Sequence, residues 1–123
     1  DAFSTKFLNV HYSILPAFAG TIGMDTVDDA IEKGCKFLGS TSHEVSEDVD
    51  AGPIKSQAVF PNLEQENVYD LIFKSGCLSL LSGLIEEKVY EEKIYRFMDI
   101  LFNPSIPFKE QELIEVFDKV SSI

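Results

Sequence analysis

The fold is decided by the stretch from Lys36 to Phe60, KFLGSTSHEVSEDVDAGPIKSQAVF. β-Branched, aromatic and small residues dominate from Lys36 to Val45, and a second run of similar character covers Ile54 to Phe60. Runs of this composition are typical of strands. The acidic segment from Ser46 to Pro53 separates them. We therefore predict two strands joined by an acidic loop of about eight residues.

A third strand and a short helix are predicted upstream. The run Phe7 to His11 is short, apolar and β-prone, and Pro16 prevents it from continuing as a central strand. The segment Ala17 to Gly23 contains two glycines among small residues, which is typical of an irregular loop that passes close to a ligand. Thr26 to Asp29 resembles a capping box, which predicts a helix over residues 26–33 that stops at Gly34.

Downstream of the strands the apolar periodicity predicts helices. One begins after Asn62, taken as its cap, and breaks near Gly83; a second covers Glu86–Phe102. The last helix is predicted from four apolar residues on one face, Leu113, Ile114, Phe117 and Val120. Strands come first and helices last, so the class is α/β or α+β. We divide the chain into a catalytic region, residues 1–85, and a helical C-terminal extension, residues 86–123.

Charge and composition disfavour several functions. The net charge of −11 repels phosphate backbones and anionic lipids, which argues against nucleic-acid and membrane partners. No apolar run approaches the roughly 20 residues of a membrane span, and no signal-peptide pattern opens the sequence, so we expect a cytoplasmic protein. Cys35 and Cys77 are expected to be reduced thiols, and no metal-ligand spacing is present.

The polar residues near the strand ends can carry chemistry. Alternation places Asn9 and His11 on one face of their strand, and Thr41 and His43 on one face of theirs. An Asn amide and an imidazole side by side can polarise a carbonyl, and Asp50 in the acidic loop could orient the imidazole or move a proton through water. The alternative is structural: a lone strand-end His is often a hydrogen-bonding residue, and an Asp before Gly-Pro is often a turn former.

Three segments, which start at Asn9, Gly34 and Glu47, follow one another in the order and pattern that resemble the 10-formyltetrahydrofolate-dependent formyltransferase family. The first runs from Asn9 to Gly20 and is similar to the family's N-x-H-x-S-x-L-P-x-F-x-G pattern. The second comprises Gly34 through Gly39, Thr41 and His43 and is similar to G-x-T-x-H. The third comprises Glu47 through Ile54 and Gln57 and is similar to D-x-G-P-I-x-x-Q. The resemblance implies the C-terminal part of a formyltransferase-type α/β sheet flanked by helices, with additional C-terminal helices.

The resemblance also implies roles for residues. Asn9, His11 and Asp50 would be catalytic, and 10-formyltetrahydrofolate would be the co-substrate, with no metal. The folate-binding loop would comprise Val45, Ser46, Glu47, Asp48 and Val49. The small-molecule substrate would be surrounded by Ser13, Phe18, Gly20, Thr41 and His43.

The family resemblance leaves the formyl acceptor open. We expect an amine, glycinamide ribonucleotide of purine biosynthesis; the alternatives are water, as in formyltetrahydrofolate deformylase, or a catalytically incomplete binding or regulatory fragment. The family's N-terminal half, with its glycine-rich phosphate loop, is not among these 123 residues. We therefore expect the missing half, or a homo-oligomer, to complete the site. Ser79 stands near a position where the relatives usually carry Glu.

Overall fold

The computed structural model describes residues 8–45, 52–84, 95–103 and 110–121. The elements in these ranges are, in chain order, β1 (Leu8–His11), α1 (Met24–Glu32), β2 (Phe37–Glu44), β3 (Ile54–Pro61), α2 (Val68–Leu84), β4 (Tyr95–Phe97), β5 (Ile100–Asn103) and α3 (Glu110–Ser121). The strands form a single sheet in the order β1-β2-β3-β5-β4, with every neighbouring pair antiparallel. The predicted mixed α/β class is confirmed.

Helix α2 covers one face of the sheet and forms the core with it. It contacts β1, β2, β3 and β5. The apolar side chains buried between these layers include Leu38, Phe60, Ile72, Leu78 and Phe102. Because α2 lies on this face, the opposite face of the first three strands is left for polar side chains.

A seam of buried serines joins α2 to the sheet. Ser40 Oγ lies 2.6 Å from Ser75 Oγ, and Ser42 Oγ donates to the carbonyl oxygen of Ser79 at 2.8 Å. Ser56 donates to the same carbonyl. These bonds offset the cost of burying hydroxyl groups. Ser79 therefore lies on the core side of the sheet. Serine in place of the relatives' usual Glu at this position thus leaves the opposite face of the sheet unchanged.

Two predicted helix caps are wrong. Helix α1 begins at Met24 with Gly23 as its N-cap residue, so Thr26 lies inside the first turn. The Thr26 hydroxyl instead lies 2.7 Å from that of Thr21. Asn62 caps no helix either: its side-chain amide donates to the carbonyl oxygen of Cys35 at 3.0 Å, and α2 begins six residues later, at Val68. The predicted stop at Gly34 agrees with its φ of +77°.

The predicted helix Glu86–Phe102 is wrong where the structure describes it. Residues 95–103 form the hairpin of β4 and β5, and β5 pairs with β3, Ala58 standing opposite Phe102. The part of the predicted helix over residues 86–94, and the predicted domain boundary between residues 85 and 86, lie outside the described residues. The final predicted helix is confirmed as α3, whose Leu113 and Phe117 are buried.

The buried aromatic ring of Phe60 gives a direct test of this core. Phe60 is 1% exposed on β3, whereas Phe37, on the neighbouring strand, is 59% exposed. We expect Phe60→Ala to lower the free energy of unfolding by about 3–5 kcal/mol, because the substitution leaves a cavity. The matched control Phe37→Ala should cost about 1 kcal/mol or less. Urea denaturation of both variants measures the difference. Equal losses would contradict the packing described here.

Both cysteines are free thiols and partly buried, as expected from the sequence. Burial raises the pKa of the Cys77 thiol. Because the thiolate is the reactive form, Cys77 should be alkylated by iodoacetamide more slowly in the folded protein than in urea.

Candidate functional site

The strand ladder brings four of the predicted site residues onto one face of the sheet. Asn9 pairs with His43, and His11 pairs with Thr41, in the antiparallel β1–β2 ladder. Gln57 of β3 stands opposite Thr41 on the other side. Directly paired residues project from the same face of a sheet. We call this set, Asn9, His11, Thr41, His43 and Gln57, the polar face.

His11 lies at the end of β1 with both ring nitrogens in contact with the following loop. Its Nε2 donates to the carbonyl oxygen of Thr21 at 3.0 Å, and its Nδ1 lies 2.8 Å from Ser13 Oγ. The Ser13 hydroxyl also donates to the carbonyl oxygen of Ala17 at 2.5 Å. Because a carbonyl oxygen only accepts, Nε2 carries the hydrogen of its bond to Thr21. The loop therefore contacts the ring at both nitrogens and sets its orientation.

Asn9 stands two residues before His11 and is exposed. Its Oδ1 accepts the backbone N–H of Val10 at 3.0 Å. The side-chain carbonyl is thus already used, and the NH₂ group is the end that remains for an external acceptor. An amide donor beside an imidazole donor can bind the oxygen of a carbonyl and the oxyanion that forms from it.

Thr41 and Ser13, both predicted to contact substrate, have internal partners. Thr41 is fully buried and holds the loop after β1: its hydroxyl donates to the carbonyl oxygen of Ser13 at 2.8 Å and accepts the backbone N–H of Leu15 at 3.1 Å. Ser13 is 5% exposed beside His11. Their contact with a substrate stays a prediction.

His43 and Val45 lead from the polar face to the acidic loop. His43 is buried, and its Nδ1 donates to the carbonyl oxygen of Glu44 at 3.0 Å. Val45 is 57% exposed. The other four residues of the predicted folate-binding loop, Ser46, Glu47, Asp48 and Val49, and the predicted catalytic Asp50, lie outside the described residues.

The two ends of the acidic loop meet at the close of the β2–β3 hairpin. Glu44 N–H donates to the carbonyl oxygen of Pro53 at 2.9 Å, and Lys55 Nζ lies 3.0 Å from Glu44 Oε1. A Cβ on Gly52 would fall well under 3.0 Å from the carbonyl oxygen of Glu44, so only glycine fits there. Since Leu8 pairs with Glu44, this junction lies at the Leu8 end of β1.

The predicted substrate residues Phe18 and Gly20 lie further along the same loop. Phe18 is half-buried, and Lys33 Nζ lies 5.0 Å from its ring centroid. Gly20 lines an open hollow of about 440 Å³ together with Thr21, Ile22, Asp25, Asp28 and Asp29. Three carboxylates give this hollow a negative potential, which would oppose a phosphate.

The structure adds Thr21 and Gln57 to the predicted set. Thr21 contacts His11 through a backbone carbonyl, which no side-chain pattern could indicate. Gln57 belongs to the D-x-G-P-I-x-x-Q segment, so the motif contained the signal, but its role depends on strand pairing. Within the described ranges, no three His, Cys, Asp or Glu side chains are grouped to hold a metal ion, and no helix has the length and apolarity of a membrane span.

Comparison with known proteins places this site in a family. The formyl transferase family matches residues 1–76, and the chain belongs to it. Formyltetrahydrofolate deformylase from Bacillus subtilis is 43% identical over 59 residues, which are 48% of this chain and 19% of that protein. Phosphoribosylglycinamide formyltransferase from Haemophilus influenzae is 39% identical over 69 residues, 56% of this chain and 31% of that one.

Solved structures agree with the sequence relatives. Phosphoribosylglycinamide formyltransferase from Anaplasma phagocytophilum superposes with a TM-score of 0.56 and 28% identity, covering 83% of this chain and 49% of that one. Glycinamide ribonucleotide transformylase 1 from Symbiobacterium toebii gives a TM-score of 0.51 and 33% identity, covering 75% of this chain and 42% of that one. This chain therefore spans less than half the length of either solved relative.

Proposed function

We propose that this protein transfers the formyl group of 10-formyltetrahydrofolate to an amine, glycinamide ribonucleotide, and that Asn9, His11 and Asp50 carry the reaction. The observation that supports it most is the placement of Asn9 two residues before His11 on the polar face, where the side-chain NH₂ of Asn9 is left for an external acceptor. Membership of the formyl transferase family supplies the group that is transferred. Cytoplasmic purine biosynthesis is the setting that this reaction would have.

The proposed reaction is a substitution at the formyl carbon. The amine nitrogen attacks that carbon, and the carbonyl oxygen becomes an oxyanion. The amide of Asn9 stabilises it together with the ring N–H of His11, which exchanges its bond to the Thr21 carbonyl oxygen for one to the substrate. Collapse of the tetrahedral intermediate breaks the bond from carbon to N10 of the folate. The proton lost by the amine reaches N10 through a water that Asp50 holds beside His11. Hydrogen bonds to the formyl oxygen strengthen as negative charge develops on it. They therefore stabilise the transition state more than the bound substrate, which lowers the activation barrier.

The position of the acidic loop supports the role of Asp50. In the sequence Asp50 comes two residues before Gly52, and Gly52 packs against the backbone of Glu44. Glu44 pairs with Leu8, the residue before Asn9. The described ends of the loop are thus anchored near Leu8, next to Asn9 on the polar face.

A second candidate is hydrolysis of 10-formyltetrahydrofolate. Deformylases are among the sequence relatives, and the negative hollow beside Gly20 would oppose the phosphate of a ribonucleotide. The third candidate, a binding or regulatory fragment without turnover, is motivated by the partial coverage of the relatives.

The acceptor is tested by measuring tetrahydrofolate release from 10-formyltetrahydrofolate with and without glycinamide ribonucleotide. The protein as naturally produced is expected to release tetrahydrofolate only when the amine is present, with one formylated amine formed for each tetrahydrofolate. Equal release without the amine would support the deformylase instead. Binding of a non-reactive folate analogue without turnover under either condition would support the regulatory fragment.

A further inference from the structure

We propose that Thr41 and Gln57, which we call the clamp, are positioning residues that set the orientation of the His11 ring through the backbone of Ser13–Leu15. This inference rests on the proposed function for its consequence, because the His11 ring that the clamp orients is one of the proposed catalytic groups. Its structural part concerns only how the ring is held and can be measured without substrate.

The hydroxyl of Thr41 is fully used by the loop and by Gln57. A threonine hydroxyl offers one donor and two acceptor positions. The donor goes to the carbonyl oxygen of Ser13 at 2.8 Å, and the two acceptor positions take the backbone N–H of Leu15 and the Nε2 of Gln57, both at 3.1 Å. Since Thr41 is fully buried, no water replaces a bond that is lost.

The side-chain amide of Gln57 completes the clamp from the next strand. Its Nε2 donates one hydrogen to Thr41 and the other to the carbonyl oxygen of Leu15 at 3.1 Å. Both polar groups of the Leu15 backbone are therefore bound to side chains of β2 and β3. The chain after β1 is thus attached to two rigid central strands through three of its backbone groups.

This attachment determines where the His11 ring lies. Ser13, whose carbonyl the clamp holds, places its own hydroxyl 2.8 Å from His11 Nδ1, and Ser13, Leu15 and His11 are each at most 5% exposed. His11 and Thr41 are also direct partners in the β1–β2 ladder. The β1–β2 ladder therefore holds the backbone of His11, and the clamped loop contacts its ring at Nδ1. Together they fix the orientation of the ring.

The test compares Thr41→Val, which keeps the shape and removes the hydroxyl, with Thr41→Ser, which restores it. Imidazole ¹⁵N NMR reads the ring directly, since the protein has only two histidines and His43→Gln assigns the signals. We expect wild type and Thr41→Ser to hold one hydrogen-bonded His11 state. Thr41→Val should show averaged tautomers at His11 with His43 unchanged, and a kcat about 100-fold lower at similar KM.

Controls separate positioning from folding. Ser40→Ala removes an equally buried hydroxyl of the same strand on the core face and should leave the His11 signals unchanged. If Thr41→Val does not fold, Gln57→Glu, at a half-buried position, removes both amide donors and should give the same His11 change. Unchanged His11 signals in the folded clamp variants would overturn the proposal. An altered ring in a protein whose wild type transfers no formyl group would uphold the clamp and reject only the proposed function.

Discussion

Replacing His11 by alanine is expected to lower the rate of formyl transfer by about 100- to 1000-fold, the usual effect of losing one preorganised oxyanion donor. The ring is buried and fixed in orientation, and it lies on the same strand as Asn9, two residues further on. The loss should appear in kcat, since the oxyanion exists only after the amine has attacked.

Asp50→Asn should reduce kcat by a comparable factor, about 100- to 10,000-fold, because the amide cannot take up a proton. The matched control is Glu32→Gln, which neutralises an exposed carboxylate at the end of α1 and should leave the rate unchanged. Thermal denaturation of each variant shows that the fold persists. Full transfer activity in folded His11→Ala or Asp50→Asn would remove these residues from the mechanism.

Gly39→Ala is the substitution with the largest expected effect on stability. A Cβ on Gly39 would lie well under 3.0 Å from the carbonyl oxygen of Ala58 on β3, and both backbones belong to the central ladder. Neither strand can move without breaking hydrogen bonds, so we expect a loss of about 3 kcal/mol or more in the free energy of unfolding. Urea denaturation measures it.

Gly76→Ala is the matched control for that substitution. A Cβ on Gly76 would lie 3.0 Å from Cε1 of Tyr12, a side-chain atom that can move, and alanine favours the α2 helix by about 1 kcal/mol over glycine. The stability change should therefore stay within about 1 kcal/mol. If Gly39→Ala were as stable as Gly76→Ala, the close approach of β2 to β3 would be refuted.

The sequence predicted the first three strands because composition and turn residues agree there. The acidic loop between the runs Lys36–Val45 and Ile54–Phe60 indicated a hairpin. The structure places β2 inside the first run, and β3 covers the second run and extends it to Pro61. The pairing of Asn9 with His43 and His11 with Thr41 extended the predicted faces across two strands. Strand alternation was sufficient for that part of the site.

The β4–β5 hairpin could not be predicted from local pattern. Phe97, Ile100 and Leu101 fit the helical template as well as a strand, and the pairing of β5 with β3 decided the outcome. The turn gives no usual signal either: Met98, with a φ of +54°, occupies a position where glycine or asparagine is expected. Arg96 Nε stabilises this turn by donating to the Met98 carbonyl oxygen at 2.7 Å.

The clamp shows the same limit within the site. Thr41 and Gln57 are far from Ser13 and Leu15 in sequence, and only the ladder brings the four together. The three motif segments contained all four residues, but the family resemblance assigned Thr41 and Ser13 to the substrate. Long-range hydrogen bonds to backbone groups have no signature in local sequence.

The most direct test of the central claim is a titration of the protein, as naturally produced, with a folate analogue that carries no transferable formyl group, followed by backbone amide NMR. The account predicts saturable shifts at Asn9–His11, His43–Val45 and Gly52, the two sides of the junction between the polar face and the acidic loop. Helix α3, which packs through Phe117 on Phe97, should not respond. An absence of saturable shifts, or shifts confined to α2 and α3, would contradict it.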